Sequence, residues 1–424
     1  MGNRRVVLLC FAGLLGADLA SAAGFGLFQH GGRGMGQAGA FTARASEPSA
    51  VTYNPAAITR LEGFQLQAGL DFSNAEDTYE SSTGRFSAAH VIQFPPSVYL
   101  TWKPEGRAFA LGLGLDSPFW YRIDWEARLF PGRYLRRITE LEVFELHPVL
   151  AYDLGGGWSV GGGARYVFGS LEQADNGFVQ VFRPGGSVTV EVERDAKADV
   201  DDIGWDAALH YAAPAWGWGV VYRSPVRLKG SGEASYTSRD APDLPGLDEQ
   251  LDERLRDGRA SQAFELPREL RTGIWFAPYP ELRLELDADY EAWSSLEETA
   301  ITYNPDTFGD GPTILTRRDW KDTTSLRLGL EGDLTDTVMM YGGVAYEPSP
   351  VPSSTVEPGF PRGDAMVYAA GMSYSFPQIS FDLGYSFHEY NSRGAEGQEL
   401  LNPAAGGRYT ASEQVWGFAV RWRY

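Results

Sequence analysis

The chain has 424 residues, of which 43% are hydrophobic and 13% aromatic, and it contains fifty glycines and a single cysteine. Its formal net charge of −20 argues against nucleic acid as a partner. No apolar run reaches the length that a membrane-spanning helix needs, which excludes a helical membrane protein. The mean hydropathy of −0.27 is still compatible with a membrane barrel, because the apolar residues of its strands alternate with polar ones.

Residues 1–22 are typical of a secretory signal peptide. A basic pair, Arg4-Arg5, precedes a short apolar stretch over residues 6–15, and Ala20-Ser21-Ala22 matches a cleavage site. We therefore expect export and cleavage after Ala22. The single cysteine, Cys10, lies inside this leader, so the mature chain is expected to have neither disulfide bonds nor a cysteine-based metal site.

Residues 23–63 are rich in glycine and alanine and do not fit a strand pattern. Pro55 fixes one backbone torsion and favours an extended geometry at Asn54, so this segment is expected to turn at a set point. The amide of Asn54 can also bond backbone groups of an irregular segment. Three apolar residues of this segment are candidates either for packing or for contact with an apolar ligand: Phe25, Phe28 and Met35.

Segments with a period of two recur from Phe64 to the end of the chain. In residues 282–287, three leucines alternate with an arginine, a glutamate and an aspartate, and residues 379–387 alternate large apolar side chains with small or polar ones. A charged residue at every second position cannot lie inside a soluble sandwich core, whereas it costs little when it faces a wet lumen. The pattern therefore predicts strands with lipid on one side and water on the other.

The connections between these segments alternate in length. Short turns such as 213–215 and 335–336 alternate with long loops such as 172–198 and 231–261. Short turns on one rim and long loops on the other are typical of an outer-membrane barrel, and we count about fourteen strands.

The last twelve residues form the clearest strand. One face carries five large apolar residues: Trp416, Phe418, Val420, Trp422 and Tyr424. In water this face would need a core, but in a barrel it meets lipid. We therefore predict an all-β fold, a transmembrane antiparallel β-barrel over residues 64–424, in the outer membrane of a Gram-negative bacterium.

A helical pattern interrupts the long connection 231–261. Leu244, Leu247, Leu251 and Leu255 recur at helical spacing among acidic residues, which predicts a short amphipathic helix on an extracellular loop. Its leucines either pack onto the underside of the loop or offer a surface on which an apolar ligand can land. Leu247 and Leu251 are therefore candidate ligand contacts.

Sequence blocks along the chain resemble the FadL-type long-chain fatty acid and hydrocarbon transporters. The resemblance begins with Gly34-Met-Gly-Gln-Ala-Gly39 and Tyr53-Asn54-Pro55-Ala56-Ala57-Ile58. It continues, in the order found in that family, through residues 111–119, 131–134, 147–152, 218–225, 266–270, 320–330 and 369–374. It covers nearly the whole mature chain.

The resemblance implies a fourteen-stranded barrel closed by an N-terminal hatch, here residues 23–63. It also implies that an apolar substrate binds first among the extracellular loops and then deeper in the lumen. A rearrangement of the hatch, with a kink in the third strand, would then release it laterally into the outer leaflet. Asn54 and Pro55 match the hatch motif. Gly112 and Gly114 lie in the third predicted strand, where they either allow the kink or make room for the packed hatch.

Arg327 and Arg421 face inward and could bind a fatty carboxylate. The alternative is an ion pair with a lumenal carboxylate: Glu331, Asp382 or Asp289. Ser386 and His388 share an inward strand face, which leaves a lipid hydrolase as a minor alternative, but no third residue evidently orients them. We therefore predict that the protein is not an enzyme and has neither a catalytic residue nor a metal or cofactor.

The expected function is passive, ligand-gated transport of hydrophobic molecules. Long-chain fatty acids are the first expectation for the substrate, and aromatic or alkane hydrocarbons are the second. The expected partners are the hydrophobic substrate, outer-membrane lipid including lipopolysaccharide, and the barrel-assembly machinery. We expect a monomer.

Overall fold

A computed structural model describes residues 30–126, 128–184, 186–309, 311–394 and 406–424. Within these ranges, twenty strands form one antiparallel sheet. No helix in the same ranges is long and apolar enough to span a membrane. The predicted signal peptide and the candidates Phe25 and Phe28 lie outside the described residues.

The strands have the following bounds: β1 Gly63–Ser81, β2 Gly84–Ser87, β3 Ile92–Gln93, β4 Pro96–Lys103, β5 Phe109–Asp124, β6 Ile138–Gly155, β7 Trp158–Arg183, β8 Gly186–Ala212, β9 Trp216–Arg223, β10 Val226–Arg239, β11 Gly258–Leu266, β12 Glu269–Tyr279, β13 Leu282–Glu291, β14 Glu298–Asn304, β15 Thr313–Arg317, β16 Thr323–Asp333, β17 Val338–Glu347, β18 Ala365–Ser375, β19 Ile379–Gly394 and β20 Gly407–Arg423. The α-helices are α1 Gly31–Met35, α2 Ala50–Tyr53 and α3 Leu247–Arg254, and the 3-10 helices are η1 Pro55–Arg60, η2 Pro131–Tyr134, η3 Trp293–Ser295 and η4 Ser353–Thr355.

The sheet closes into a barrel because β1 pairs with β20 over the whole length of β20. Five crossings consist of two successive strands each, and β2 folds back onto β1 within the first hairpin, so the twenty strands make fourteen crossings. The predicted barrel of about fourteen antiparallel strands is therefore confirmed.

The two faces of the wall follow the predicted alternation. On β20, the side chains of Trp416 and Phe418 point outward and are 48% and 45% exposed, whereas that of Ala419 points inward and is buried. On β13, Leu286 points outward and its neighbour Asp287 is buried inside the barrel. The outward apolar residues meet lipid and the inward polar residues meet the contents of the lumen.

Several crossings break at a similar height. Three of the breaks contain prolines, Pro95, Pro225 and Pro267, and the other two span residues 292–297 and 318–322. Proline cannot donate to a strand ladder, so it ends the regular pairing. The breaks lie about eight to eleven residues from the short turns, which is close to the length that a tilted strand needs to cross a membrane.

The lumen is filled in two layers. Residues 30–62, the described part of the hatch, occupy the half near the short turns, where α1 packs on β18–β20 and η1 packs on β5–β8. Beyond the hatch lies a cluster of buried aromatic and aliphatic residues, which we call the aromatic cluster. Its aromatic members are Tyr79, Phe119, Tyr121, Trp125, Phe130, Phe264, Trp293, Trp320, Phe360 and Tyr409.

Candidate substrate pathway

Inward carboxylates of β13 hold the backbone of the hatch. One oxygen of Asp287 accepts the N–H groups of Phe41 and Thr42, both at 2.9 Å. One oxygen of Glu285 accepts the N–H of Ala43 at 2.6 Å. An irregular segment inside a barrel has no ladder to satisfy its backbone donors, so wall side chains must do so. Along β13, the leucines thus contact lipid on the outer face, and the acidic side chains bind the hatch on the inner face.

Asn54 joins two turns of the hatch. Its Nδ2 donates to the carbonyl oxygen of Thr42 at 2.9 Å, and its Oδ1 accepts the N–H of Ala56 at 3.1 Å. Its backbone is extended, with φ −160°, and Pro55 begins η1 directly after it. This is the geometry that a residue before proline favours. A gating role for Asn54 and Pro55 stays a prediction.

Both candidate lumenal arginines bind carboxylates of the protein itself. The Nε of Arg327 lies 2.6 Å from Asp289 Oδ2, and its Nη1 donates to the Ala38 carbonyl oxygen at 3.0 Å. Arg421 makes a two-pronged pair with Asp382, at 2.7 and 2.9 Å. These contacts favour the ion-pair alternative, in which the arginines clamp the wall and the hatch together.

Small wall residues make room for the hatch. A Cβ at Gly112 would lie 2.7 Å from Val51 of α2, and one at Gly114 would lie 3.0 Å from the same side chain. A Cβ at Gly417 would lie 2.8 Å from Met35, which is buried. The two glycines of β5 and the small residue of β20 are therefore close-approach positions for the hatch.

The third crossing, β5, does have an irregularity, and it follows these glycines. The register with β6 shifts between Asp116 and Phe119, so the extra residue lies at Ser117-Pro118. Before it, Leu111 and the odd-numbered residues up to 115 point outward, whereas from 119 to 125 the odd-numbered residues point inward. An inserted residue has this effect, because it moves every following side chain to the opposite face.

The same irregularity opens the wall beside β5. Among the described residues, β4 pairs with β5 only as far as Leu115, and the next bond across this edge is from Ala89 N to the Asp124 carbonyl oxygen. Asp116 stands at the start of this gap, where its Oδ2 accepts the hydroxyls of Thr52 on α2 and Tyr99 on β4. The hatch therefore touches the edge of the gap.

The aromatic cluster lies directly behind the gap. Phe119, the first residue after the irregularity, contacts Trp293 edge-on at 6.4 Å between ring centroids. Trp293 in turn contacts Trp320 at 5.1 Å. This cluster was not predicted from the sequence. The signal was the change of face within residues 111–125, which is visible only if a one-residue insertion is allowed in the strand.

A buried guanidinium stands beside the aromatic cluster. Arg136 is 2% exposed, and within the described part of the chain its Nε and Nη1 have no hydrogen-bond partner. Its ion pair with Asp175 is long, at 3.9 Å, and Asp175 also receives two bonds from Arg194 at 2.9 and 3.0 Å. The stem of Arg136 lies against Gly359, within the loop that carries Phe360. The site thus combines a packed apolar cluster with a buried cation whose Nε and Nη1 donate no hydrogen bond to the described residues.

Comparison with known proteins decides the family. Residues 13–424 match the family model described as outer membrane protein transport protein (OMPP1/FadL/TodX). The chain belongs to this family. It is similar to the long-chain fatty acid transport protein of Escherichia coli O6:H1, with 24% identity over 95% of this chain and 94% of that protein.

Two solved structures show the same fold. The crystal structure of a Pseudomonas aeruginosa FadL homologue covers 95% of this chain and 100% of that one, with 21% identity and a TM-score of 0.81. That of the P. putida toluene transporter TodX covers 94% and 99%, with 15% identity and a TM-score of 0.76. The protein is an outer-membrane channel of the FadL family that transports hydrophobic compounds and is not an enzyme.

Two further candidates can be placed in this FadL-family barrel. Leu247 and Leu251 of α3 are 0% and 2% exposed, because they pack on strands of the extracellular extension of the barrel. This packing favours the alternative in which the leucines stabilise the loop.

The second candidate is the pair of Ser386 and His388. Ser386 lies 3.1 Å from His388, but Ser386 is fully buried. Glu413, which lies opposite His388, accepts hydrogen bonds from Arg362 and Tyr390.

Proposed function

We propose that this channel carries long-chain fatty acids by passive diffusion from the extracellular side into the outer leaflet. A fatty acid would enter among the extracellular loops and bind in the aromatic cluster. It would then leave laterally through the gap beside β5 when the hatch moves away from that edge. No cofactor and no bond-making step are needed.

The observation that carries this proposal is the guanidinium of Arg136. A buried cation with two nitrogens that donate no hydrogen bond to the described residues costs free energy, and a carboxylate would recover it through charge-assisted hydrogen bonds. Arg327 and Arg421 have no such need, since each is already bonded to a carboxylate of the protein. Arg136 is therefore the described arginine beside the aromatic cluster best suited to a fatty carboxylate.

The alkyl tail supplies the remaining affinity. Each buried methylene contributes about 0.8 kcal/mol, so a long chain binds tightly only where it is fully enclosed. The residues of the aromatic cluster offer such an enclosure, and Phe119 places it next to the gap. Release requires that the ligand exchange this apolar contact for lipid, which is close to neutral in free energy and suits passive transport.

The contact between hatch and gap supports lateral release. Thr52 of the hatch and Tyr99 of the wall share one carboxylate oxygen of Asp116 at the edge of the gap. Movement of α2 would break the first of these bonds and uncover the edge. The hatch and the opening are therefore coupled through one residue.

Aromatic hydrocarbons are the second candidate substrate. The feature that favours them is the aromatic cluster, because aromatic side chains pack well against a planar ring. A neutral hydrocarbon would make no use of Arg136. The two candidates therefore differ in their dependence on this residue.

Uptake of radiolabelled oleate and toluene by cells that depend on this channel tests the proposal. Arg136→Gln is expected to lower oleate uptake by about tenfold, the loss of about 1.4 kcal/mol, and to leave toluene uptake unchanged. Arg137→Gln is the matched control, since Arg137 is adjacent and pairs with Asp124 and Glu193. Unchanged oleate uptake in Arg136→Gln would refute the fatty acid proposal, and loss of both substrates would refute the role of Arg136 as a carboxylate site.

A further inference from the structure

One aromatic ring of the loop between β17 and β18 sits in a cage of other π systems. Phe360 is 4% exposed. It stacks on Tyr121 at 5.5 Å with an interplanar angle of 19°, and Trp320 meets it edge-on at 5.3 Å and 86°. Phe264 lies at 6.4 Å, and the guanidinium of Arg318 stands 5.1 Å from the ring centroid. We call these four side chains the cage.

The loop that carries Phe360, residues 348–364, is bonded to its surroundings through the carbonyl oxygens of Pro350 and Asp364, but its tip reaches the cage without joining the sheet. Among the described residues, the main-chain groups of 351–363 form hydrogen bonds with other main-chain groups only inside the loop. These bonds run from Thr355 N to Pro352 O and from Phe360 N to Glu357 O. We call residues 348–364 the outer loop. No strand ladder therefore holds this tip in the barrel.

Side chains of the wall hold the outer loop in place on both sides of Phe360. Trp125 donates its indole N–H to the Pro358 carbonyl oxygen at 2.8 Å, and the hydroxyl of Tyr121 donates to the Gly359 carbonyl oxygen at 3.0 Å. Arg362 makes a two-pronged pair with Asp77, at 2.9 and 3.0 Å. These are discrete polar contacts that water can replace when the loop moves outward.

We propose that the cage is a binding site for one ring-sized apolar group and that the outer loop keeps it filled with Phe360 until a ligand replaces the ring. The inference rests on the proposed passage of hydrophobic molecules through the lumen. It adds that the channel is closed at two ends, by the hatch on one side of the aromatic cluster and by the outer loop on the other.

The composition of the cage gives it a preference. Stacked and edge-on neighbours and a guanidinium over the ring face all interact with the quadrupole of an aromatic ring. A saturated ring of the same size fills the same space but has no such quadrupole. An aromatic ring is therefore expected to bind better than its saturated analogue.

A pair of cavity variants tests the site. Phe360→Ala empties the cage, and Phe130→Ala is the matched control, because Phe130 is equally buried in the aromatic cluster but stacks on Trp125 outside the cage. Purified full-length variants are equilibrated with toluene or methylcyclohexane, and headspace gas chromatography reports the free ligand. An emptied apolar cavity can take up such a molecule.

The cage predicts a gain in toluene affinity of about tenfold for Phe360→Ala over the wild type, and a smaller gain for methylcyclohexane. Phe130→Ala is expected to show a smaller gain for toluene than Phe360→Ala. Equal gains in the two variants, or equal gains for the two ligands, would overturn the assignment of a ring site.

A reversible lock tests the exchange of Phe360 for ligand. A Cβ at position 359 would lie 2.5 Å from Oγ1 of Thr139, so cysteines at Thr139 and Gly359 are close enough in space to be joined by a disulfide after a small local shift. The double variant Thr139→Cys/Gly359→Cys is oxidised or reduced, and toluene uptake by cells that depend on it is measured. The oxidised form is expected to transport at least about tenfold more slowly, with recovery on reduction.

Equal transport in the two redox states would overturn the proposal that Phe360 must leave. Failure of the proposed function would look different, because neither redox state, nor the wild type, would then admit toluene or oleate. The single variant Gly359→Cys under the same oxidant controls for the added side chain.

Discussion

We expect that a single substitution on β13, at the carboxylate that binds the hatch backbone, weakens the closed state of the hatch. In Asp287→Ala, the backbone N–H groups of Phe41 and Thr42 lose their common acceptor while they stay buried. An unsatisfied buried donor costs about 1–3 kcal/mol, so the two together weaken the closed hatch by about 2–6 kcal/mol.

Hydrogen exchange of the peptide that covers residues 41–44 measures this loss. Local opening of the hatch controls the exchange of these amides, and a loss of about 2 kcal/mol raises their exchange rate by roughly thirtyfold. Asp287→Asn keeps one carbonyl oxygen as an acceptor and should show a smaller increase. Asp153→Ala is the control, because Asp153 also accepts a backbone N–H, that of Gly155, but in an exposed turn where water replaces it. Unchanged exchange at residues 41–44 in Asp287→Ala would refute the reasoning.

Two further predictions concern the outer loop and the hatch. Burial alone would raise the pKa of Glu357, but the guanidiniums of Arg318 and Arg136 outweigh burial, so the pKa of Glu357 lies below its usual value. Burial lowers the pKa of Arg318, but this guanidinium stays charged in acid. A lowered carboxyl pKa stabilises the folded loop at pH values above the unfolded pKa of about 4.3, and this stabilisation is lost as the pH falls through the folded pKa. Proteolysis of the outer loop should therefore increase below about pH 4 in the wild type but not in Glu357→Gln. Gly114→Val should lower the melting temperature, because overpacking against α2 costs about 1–3 kcal/mol, whereas Leu115→Val on the lipid face should not; an unchanged melting temperature would contradict the close approach of the hatch.

The alternation of side chains was enough to predict the barrel. Residues 282–287 and 416–424 each show one lipid face and one lumenal face, and both faces are where the sequence placed them. The pairing of Arg327 with Asp289 could also be anticipated from the sequence, because the two residues lie on neighbouring strands and a buried cation needs a carboxylate. Local pattern and simple electrostatics therefore predicted the wall.

The contents of the lumen were harder to predict, for two physical reasons. The face of residues 119–125 depends on one inserted residue at Ser117-Pro118, and a bulge is defined by the partner strand, which a single segment does not reveal. The burial of Arg136 and Phe360 depends on which loops fold into the mouth of the barrel, and these contacts are between residues more than two hundred positions apart. A leucine stripe such as that of α3 has the same spacing whether it meets a ligand or its own loop, so its role was left open.

Two closures on one pathway act in series, and this gives a combined prediction. Asp287→Ala loosens the hatch, and the oxidised Thr139→Cys/Gly359→Cys pair fixes the outer loop. If toluene passes both closures in turn, Asp287→Ala should speed its uptake by cells that depend on the channel while the cysteines are reduced. It should have no effect while they are oxidised, because the flux through two barriers in series is limited by the slower one. The measurement is the initial rate of entry for the four combinations of variant and redox state. If Asp287→Ala speeds entry equally in both redox states, toluene reaches the lumen by a route that bypasses the outer loop, and the serial arrangement is wrong.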